Sequence, residues 1–291
     1  MRHPTARRRT RGPARIALPV ACLTLLLAAC SGNPSALTTT TTVPTTTTTT
    51  APGSTSTTVP LVRTYPLYFL RGTELGVADR TGPSTSDPHY TVMNDLLAGP
   101  VPTETAAGLG TEIPAGTAVR GLQIRSAVAT VNLSPQFVTP GTPSSLADRL
   151  AQVVYTLTSS PSVTGVVIEI AGSRIVNFAG VDLTNPVGRA QVTAALPLVL
   201  LEQPAVGGKL VGSLTISGLT STATSYVVQL LDPSGKLLTS VTNASAAGGT
   251  FSQSVQFTIT APETGTVKLF AQPTSSAKTA QMFQFTLPIG P

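Results

Sequence analysis

Tryptophan is absent from the 291 residues, and histidine and cysteine occur only twice each. His3 and Cys22 both fall in an arginine-rich, apolar leader, which leaves His89 and Cys30 for the rest of the chain. One histidine and one cysteine cannot build a zinc site of the usual Cys and His ligands. A Ser-His-Asp triad would have to use His89, yet no G-x-S-x-G elbow is present. Gly235-Lys236 is followed by Leu237 where a phosphate-binding loop needs Ser or Thr, and the earlier glycine is missing. Aromatic residues make up 4% and charged residues 10% of the chain. With no Lys or Arg run beyond the leader, nucleic-acid binding has little support. No catalytic, cofactor-binding or metal-ligating set is expected.

Residues 1–29 carry the marks of an export signal. Arg2, Arg7, Arg8, Arg9, Arg11 and Arg15 precede an apolar run from Ile16 to Ala29, too short to span a bilayer comfortably. The run ends in Leu27-Ala28-Ala29-Cys30, which resembles a bacterial lipobox. Cleavage is therefore expected between Ala29 and Cys30, with a diacylglycerol on the Cys30 thiol and further acyl chains such as palmitate. Several acyl chains, at about 0.8 kcal/mol per buried CH₂, suffice for stable anchoring. The expected location is the extracytoplasmic face of the cell membrane. Removing the leader also changes the charge balance. The whole chain has 18 basic and 12 acidic residues; without the six leader arginines the balance is 12 to 12. The basic character belongs to the address.

Residues 30–60 collapse to Thr, Ser, Pro, Ala and Gly, including TTTTTVPTTTTTT from Thr38 to Thr50. Such a stretch has too little apolar bulk to offset its ordering entropy and reads as a disordered stalk. Its reach is roughly 30 Å as a relaxed coil and about 90 Å when drawn out.

Residues 61–183 read as a first folded domain of α+β class, with helices packed on a short sheet. Tyr65–Leu70 and Leu75–Arg80 are expected strands across the turn at Arg71-Gly72. Asp87 is placed to cap a helix that Pro88 opens, Met93, Leu96 and Leu97 give it an apolar side, and Gly99-Pro100 ends it. Strands are expected over Val119–Arg125 and Val128–Leu133. Leu146, Leu150, Val153, Val154 and Leu157 then fall on one stripe of a helix. The neighbouring strands should supply its bed: Ala127, Ala129, Val131 and Leu133 on one side, Val166, Ile168 and Ile170 on the other. Asp148 reads as a first-turn acid of that helix.

LLAGPVPTETAAGLGTEIPAGTAV (Leu96–Val119), VATVNLS (Val128–Ser134) and RLAQVVYTLTSSPSVTGVVIEIAG (Arg149–Gly172) resemble the GerMN, or Germane, domain. The resemblance implies a sporulation, germination or other envelope lipoprotein without catalytic residues. It also implies a fold like the small ring-building α/β domains of secretion machines, so self-association into a homo-oligomer is a further expectation.

Residues 184–195 read as a linker, and residues 196–291 turn to period two. Phe251, Val255, Phe257 and Ile259 alternate with polar residues, as do Phe283, Phe285 and Leu287. Asp232-Pro233-Ser234-Gly235 fits a type I turn. About seven strands without a helix suggest an immunoglobulin-like sandwich, though without the Cys pair and Trp of antibody domains. LLEQPAVGGKLVGSLTISG, YVVQLLDPSGKLL and FSQSVQFTI resemble the immunoglobulin-like domain that follows GerMN. Thr222-Ala223 stand where members carry an aromatic-acidic pair after the glycine equivalent to Gly218.

Two functions are compatible with these features. One is a noncatalytic, lipid-anchored envelope protein that binds a protein or cell-wall partner. The alternative is a carboxylate-dependent peptidoglycan hydrolase, with Glu104 and Glu112 as acid and base; their plainer reading is solvated loop charges. A solute-binding lipoprotein ranks last, because two small domains joined by one crossing offer no obvious closing cleft.

Overall fold

A computed structural model describes residues 61–291 apart from 246–248 and 275–278. The leader, Ala29, Cys30 and the stalk lie outside the described residues. Those described belong to one compact unit.

Strands β1 (Val62–Arg71) and β2 (Glu74–Pro83) form an antiparallel hairpin with Arg71 opposite Glu74. Gly72, at φ +65°, takes the left-handed position of its two-residue turn. Leu67, Tyr68, Phe69 and Leu70 are all buried, so both faces of β1 are covered. Helix α1 (Pro88–Leu97) begins as expected: the Asp87 side chain accepts from the Tyr90 N–H at 3.1 Å and Pro88 opens the first turn. A short helix α2 (Pro102–Ala106) follows in a stretch read as loop.

Strands β3 (Val119–Arg125) and β4 (Val128–Leu133) have their expected limits. Ser126 and Ala127 turn between them with φ of 48° and 60°. Ala127 is thus a turn residue and does not extend the buried strand face formed by Ala129, Val131 and Leu133. Helix α3 (Pro143–Leu157) is capped by Thr142, whose hydroxyl accepts from the Ser145 N–H. It crosses to β5 (Gly165–Ile170), which pairs in parallel with β4.

The apolar stripe of α3 is present, with Leu150, Val153, Val154 and Leu157 buried, but the helix is covered more widely than that. Every residue from Asp148 to Leu157 is buried, because α3 packs against β1, β2 and α1 as well as β5. The bed is shared between two sheets. Asp148 lies a turn beyond the N-terminal one, so its expected role there is not met. At 6% exposure it is covered by neighbouring structure, and burial, with Glu112 as a second cause, pushes its pKa up.

Three two-residue strands come next: β6 (Ser173–Arg174), β7 (Asn177–Phe178) and β8 (Val181–Asp182). β6 extends the β3-β4-β5 sheet, and β7 and β8 form a small hairpin. Phe178 stacks on Phe137, ring centroids 5.3 Å apart.

The remaining strands are β9 (Val199–Gln203), β10 (Leu210–Val211), β11 (Ser213–Thr220), β12 (Thr224–Leu231), β13 (Leu237–Ser245), β14 (Thr250–Gln256), β15 (Glu263–Pro273) and β16 (Gln281–Gly290). All eight join one hydrogen-bonded sheet, ordered β13-β12-β15-β16-β10-β11-β14 with β9 on β11. The sheet curls as a half-barrel, and β13 contacts β14 across its ends. Leu214, Ile216, Val267, Leu269, Phe285 and Leu287 point inward as the alternation requires. The Asp232–Gly235 turn closes through a bond from the Gly235 N–H to the Asp232 carbonyl, 3.0 Å.

The two halves share one buried cluster. The segment 184–195 is packed, with Val187, Val192 and Ala195 buried. The edge of β2 is taken up from the C-terminal side. The Leu75 N–H donates to the Ala195 carbonyl at 2.7 Å, the Asp79 N–H to Val206 at 2.7 Å, and the Val206 N–H to Val77 at 3.2 Å. Each side chain fully buried at such a joint contributes about 1.5–3 kcal/mol, so the halves are held as one body.

Candidate interaction site at the joint between the two halves

Long-range polar contacts concentrate where the β1-β2 hairpin meets the C-terminal sheet. Arg189, on a 3-10 turn (Arg189–Gln191), stacks on Tyr68 and Tyr155 at 5.1 and 4.7 Å. Its guanidinium donates to Glu202 of β9 at 2.8 Å, to the Thr158 hydroxyl at 3.0 Å, to the Tyr68 hydroxyl at 3.0 Å and to the Tyr155 carbonyl at 3.3 Å. Tyr68 in turn donates its O–H to Glu202. Burial pushes the pKa of Tyr68 well up. Burial pulls Arg189 down, but Tyr68 and Glu202 outweigh it and hold Arg189 above its usual value. A guanidinium engaged on several sides between two aromatic rings fixes geometry and leaves little for chemistry.

A second knot lies within the first half. Arg80 donates to both carboxylate oxygens of Glu104, at 2.9 and 2.7 Å, and to the carbonyls of Asp95 and Gly99. Glu104 also accepts from the Val101 N–H at 2.8 Å, which starts α2. The hydrogen bond to Glu104 raises the pKa of Arg80. Beside it, Tyr65 donates to Asp95, and burial together with Asp95 pushes its pKa up to about 12.

These contacts correct the reading of Glu104 as a solvated loop charge: it is 2% exposed and locked in an ion pair. Glu112 is exposed, its N–H held by the Gln152 side chain. Glu104 is committed to Arg80 and so is not free to serve as the acid or base of a pair with Glu112. His89 is half-buried, its Nε2 within 3.1 Å of the Ser160 hydroxyl and 3.4 Å of that of Ser162. Burial, then Arg63, lowers its pKa. Lys236 is exposed next to the Asp232 turn, where Asp232 accepts from its N–H. The Thr222 and Ala223 carbonyls accept from Thr224 and Thr274. A Cβ on Gly218 would stand 2.0 Å from the Leu200 carbonyl oxygen, so this glycine lets β9 and β11 close together.

Sequence reasoning missed Arg71, Asp79, Arg189 and Glu202. Tyr68 and Glu202 are 134 positions apart, and no local periodicity marks such a pair. Asp79 is 7% exposed; one carboxylate oxygen accepts from Gln203 at 3.0 Å while the other has no partner among the described residues. Burial raises its pKa and Gln203 opposes the rise. Two clefts flank the joint. One, about 510 Å³, lies between the hairpin tip and the start of β16; the other, about 590 Å³, lies between α2 and β16 and is lined by uncharged residues including Thr103, Gln284 and Pro288. No group of three or more His, Cys, Asp or Glu suited to a metal occurs among the described residues.

Residues 66–176 match the Germane family, described as sporulation and spore germination. The matched Germane region begins in β1 and ends after β6, and so carries the Arg80–Glu104 pair and one side of the joint. No curated protein matches the sequence. Among solved structures, the first GerMN domain of the sporulation protein GerM from Bacillus subtilis is 18% identical, covering 44% of this chain and 98% of that one, with TM-score 0.36. The tandem GerMN domains of the same protein are 16% identical over 63% of this chain and 61% of that one, TM-score 0.40. CopC from Methylosinus trichosporium OB3b is 15% identical over 32% and 94%, TM-score 0.25.

Proposed function

We propose that this is a noncatalytic cell-envelope protein, lipid-anchored at Cys30, whose Germane region and C-terminal immunoglobulin-like half act together as one binding body in sporulation, germination or wall regulation. The observation that carries the reading is the use of the charged groups: Glu104 serves Arg80 in a largely covered pair, and Glu202 serves Arg189 in a half-buried one, so both ion pairs build the body. The Germane match supports the link to sporulation and germination. The lipobox-like Leu27-Ala28-Ala29-Cys30 supports the anchor, and residues 30–60 would set the body off the membrane. Among the described residues no helix is long and apolar enough to cross a membrane. The partner is a protein or wall component outside the cytoplasm, or a second copy of the chain.

Fractionation and mass spectrometry of the expressed protein test the anchor. The wild type should run in the detergent phase with acyl mass on Cys30, and Cys30→Ala should leave that phase; an unmodified wild type refutes anchoring. For the noncatalytic half of the reading, Glu112→Gln is the useful variant, since Glu104→Gln would disturb folding. Release of peptidoglycan fragments by the wild type and its loss in Glu112→Gln would favour the hydrolase instead.

A further inference from the structure

A strand at the edge of a sheet leaves a row of N–H and C=O groups open to pairing, and folded chains blunt such edges with charge, bulges or cover. Several edges here are blunted. The free side of β1 is occupied: the Tyr68 N–H donates to the Thr156 hydroxyl at 3.1 Å, the Gln152 amide donates to the Tyr68 carbonyl at 3.3 Å, and Leu70 pairs with Gly110. The free side of β2 takes up Ala195 and Val206. β3 carries Arg120 and Arg125, and its Val119 carbonyl accepts from the Tyr90 hydroxyl at 3.3 Å. β13, one edge of the C-terminal sheet, is bulged, with its register shifted opposite Leu230 and Leu231.

β14, at the other edge of that sheet, has none of these devices. Its sequence TFSQSVQ contains neither charge nor proline, and neither does SLTISGLT of its neighbour β11. Its register with β11 runs from Thr250 opposite Leu219 to Gln256 opposite Ser213 without a shift. The phase of the ladder follows from its two ends, where the Thr220 N–H donates to the Gly249 carbonyl at 2.9 Å and the Phe257 N–H to the Gly212 carbonyl at 3.1 Å. Bonded pairs alternate along an antiparallel ladder, so Phe251, Gln253 and Val255 turn their backbone groups to β11, whereas Thr250, Ser252, Ser254 and Gln256 turn theirs outward. These four are exposed, and among the described residues no backbone group pairs with them from the outer side.

Such an edge matches itself. When it is laid antiparallel on a second copy, about a twofold axis through Gln253 and normal to the sheet, Ser252 comes opposite Ser254 of the copy and Thr250 opposite its Gln256. Every outward N–H then meets an outward C=O, giving about eight backbone bonds. The side chains agree with this register. Phe251, whose ring lies 4.8 Å from that of Tyr226, comes opposite Val255 on the core side, and both are only partly buried against the core. Serines meet on the outer side, and no like charges are brought together. A foreign strand would need only the open backbone; the pairing of Phe251 with Val255 favours a copy of the same chain.

We infer that β14 is a self-association edge, through which two copies of this chain join their C-terminal sheets antiparallel, centred on Gln253. The inference deepens the binding role proposed above by naming one partner, and rests on that reading for its use in the envelope. A chain that stays monomeric would remove the self-pairing and leave the anchor and the fused body standing, because acyl mass and calorimetry test those separately.

Sedimentation velocity of the purified chain from residue 31 onward, over a hundredfold range of concentration, should show a reversible dimer. Gln253→Lys and Gln253→Glu each set like charges face to face at the axis, and each should weaken the dimer at least tenfold with thermal unfolding unchanged, because Gln253 is exposed in the single copy. Mixing the two variants should restore association, since opposite charges then meet at the axis. Ser254→Pro removes an outward N–H and spares the bonds to β11, and should also weaken the dimer at least tenfold. A monomer at every concentration, a dimer unaltered by Gln253→Lys, or no recovery on mixing would overturn the inference. Protection of the β14 amides from hydrogen exchange by a different envelope protein, with the chain alone monomeric, would assign the edge to a foreign strand and overturn it as well.

Discussion

The Germane region and the C-terminal sheet solve the burial of their elements differently. In the first, the C-terminal parts of β1 and α3 are covered on nearly every side, so polar groups are drawn inside and must be matched there, as Arg80 is by Glu104. In the second, strands such as β11 and β12 alternate one covered and one open residue, and most polar groups stay in water. The lesson is that a fully wrapped element commits its charges to structure, whereas a half-wrapped one leaves them free. Arg71, between the two, is half-buried and held by the Phe283 ring and the Ala107 carbonyl instead of by a carboxylate ion pair.

The largest effect expected from this contrast is Glu104→Ala. It leaves the largely covered Arg80 guanidinium without its carboxylate and removes the Val101 bond that starts α2, and should cost roughly 3 kcal/mol in urea unfolding. Lys236→Ala, on an exposed turn of the sheet, should stay within about 0.5 kcal/mol. Equal losses would erase the distinction between the two regions. Next is Gly218→Ala, whose added methyl meets backbone and not a movable side chain. A cost of about 1–3 kcal/mol is expected, with faster hydrogen exchange in β9 and β11; unaltered exchange there would mean that the strands are not in close register.

Asp79 gives a smaller, pH-dependent effect. Its folded pKa lies above the ordinary value, so the native state holds its proton more tightly than the unfolded chain. Stability from this group is complete below about pH 3.9 and is lost as pH rises through the folded value. Asp79→Asn should flatten that decline and raise stability at pH 7 relative to wild type, as measured by denaturant titration at pH 4 and pH 7. A decline equally steep in the variant would show that Asp79 is not its source. A smaller effect, of opposite sign to the first two, is Ala127→Gly, which should stabilise by about 0.5–1 kcal/mol by relieving a left-handed alanine, less the entropy glycine adds to the unfolded chain.

What could be read from sequence was local. Asp87 and Pro88 declare α1 through cap chemistry, Val119–Arg125 and Val128–Leu133 declare a hairpin through period two, and Asp232 to Gly235 declare a turn through residue type. Each rule acts within four or five positions. The joint obeys none of them: Arg189 meets Tyr68 across 121 positions, and β10 pairs in parallel with β16, which alternation cannot reveal. The segment 184–195 reads as a connector because its polar residues hide the spaced Val187, Val192 and Ala195 that anchor it. Glu104 looked solvated because nothing near it in sequence announces Arg80. The half-wrapped region was therefore more legible than the wrapped one, where long-range matching decides.

The claim on which the rest depends is that the Germane region and the C-terminal sheet fold as a single body. Differential scanning calorimetry of residues 61–291 tests it most directly. A single transition with equal calorimetric and van't Hoff enthalpies is predicted; two resolved transitions, or a fragment of residues 61–183 that melts at the temperature of the whole, would contradict it.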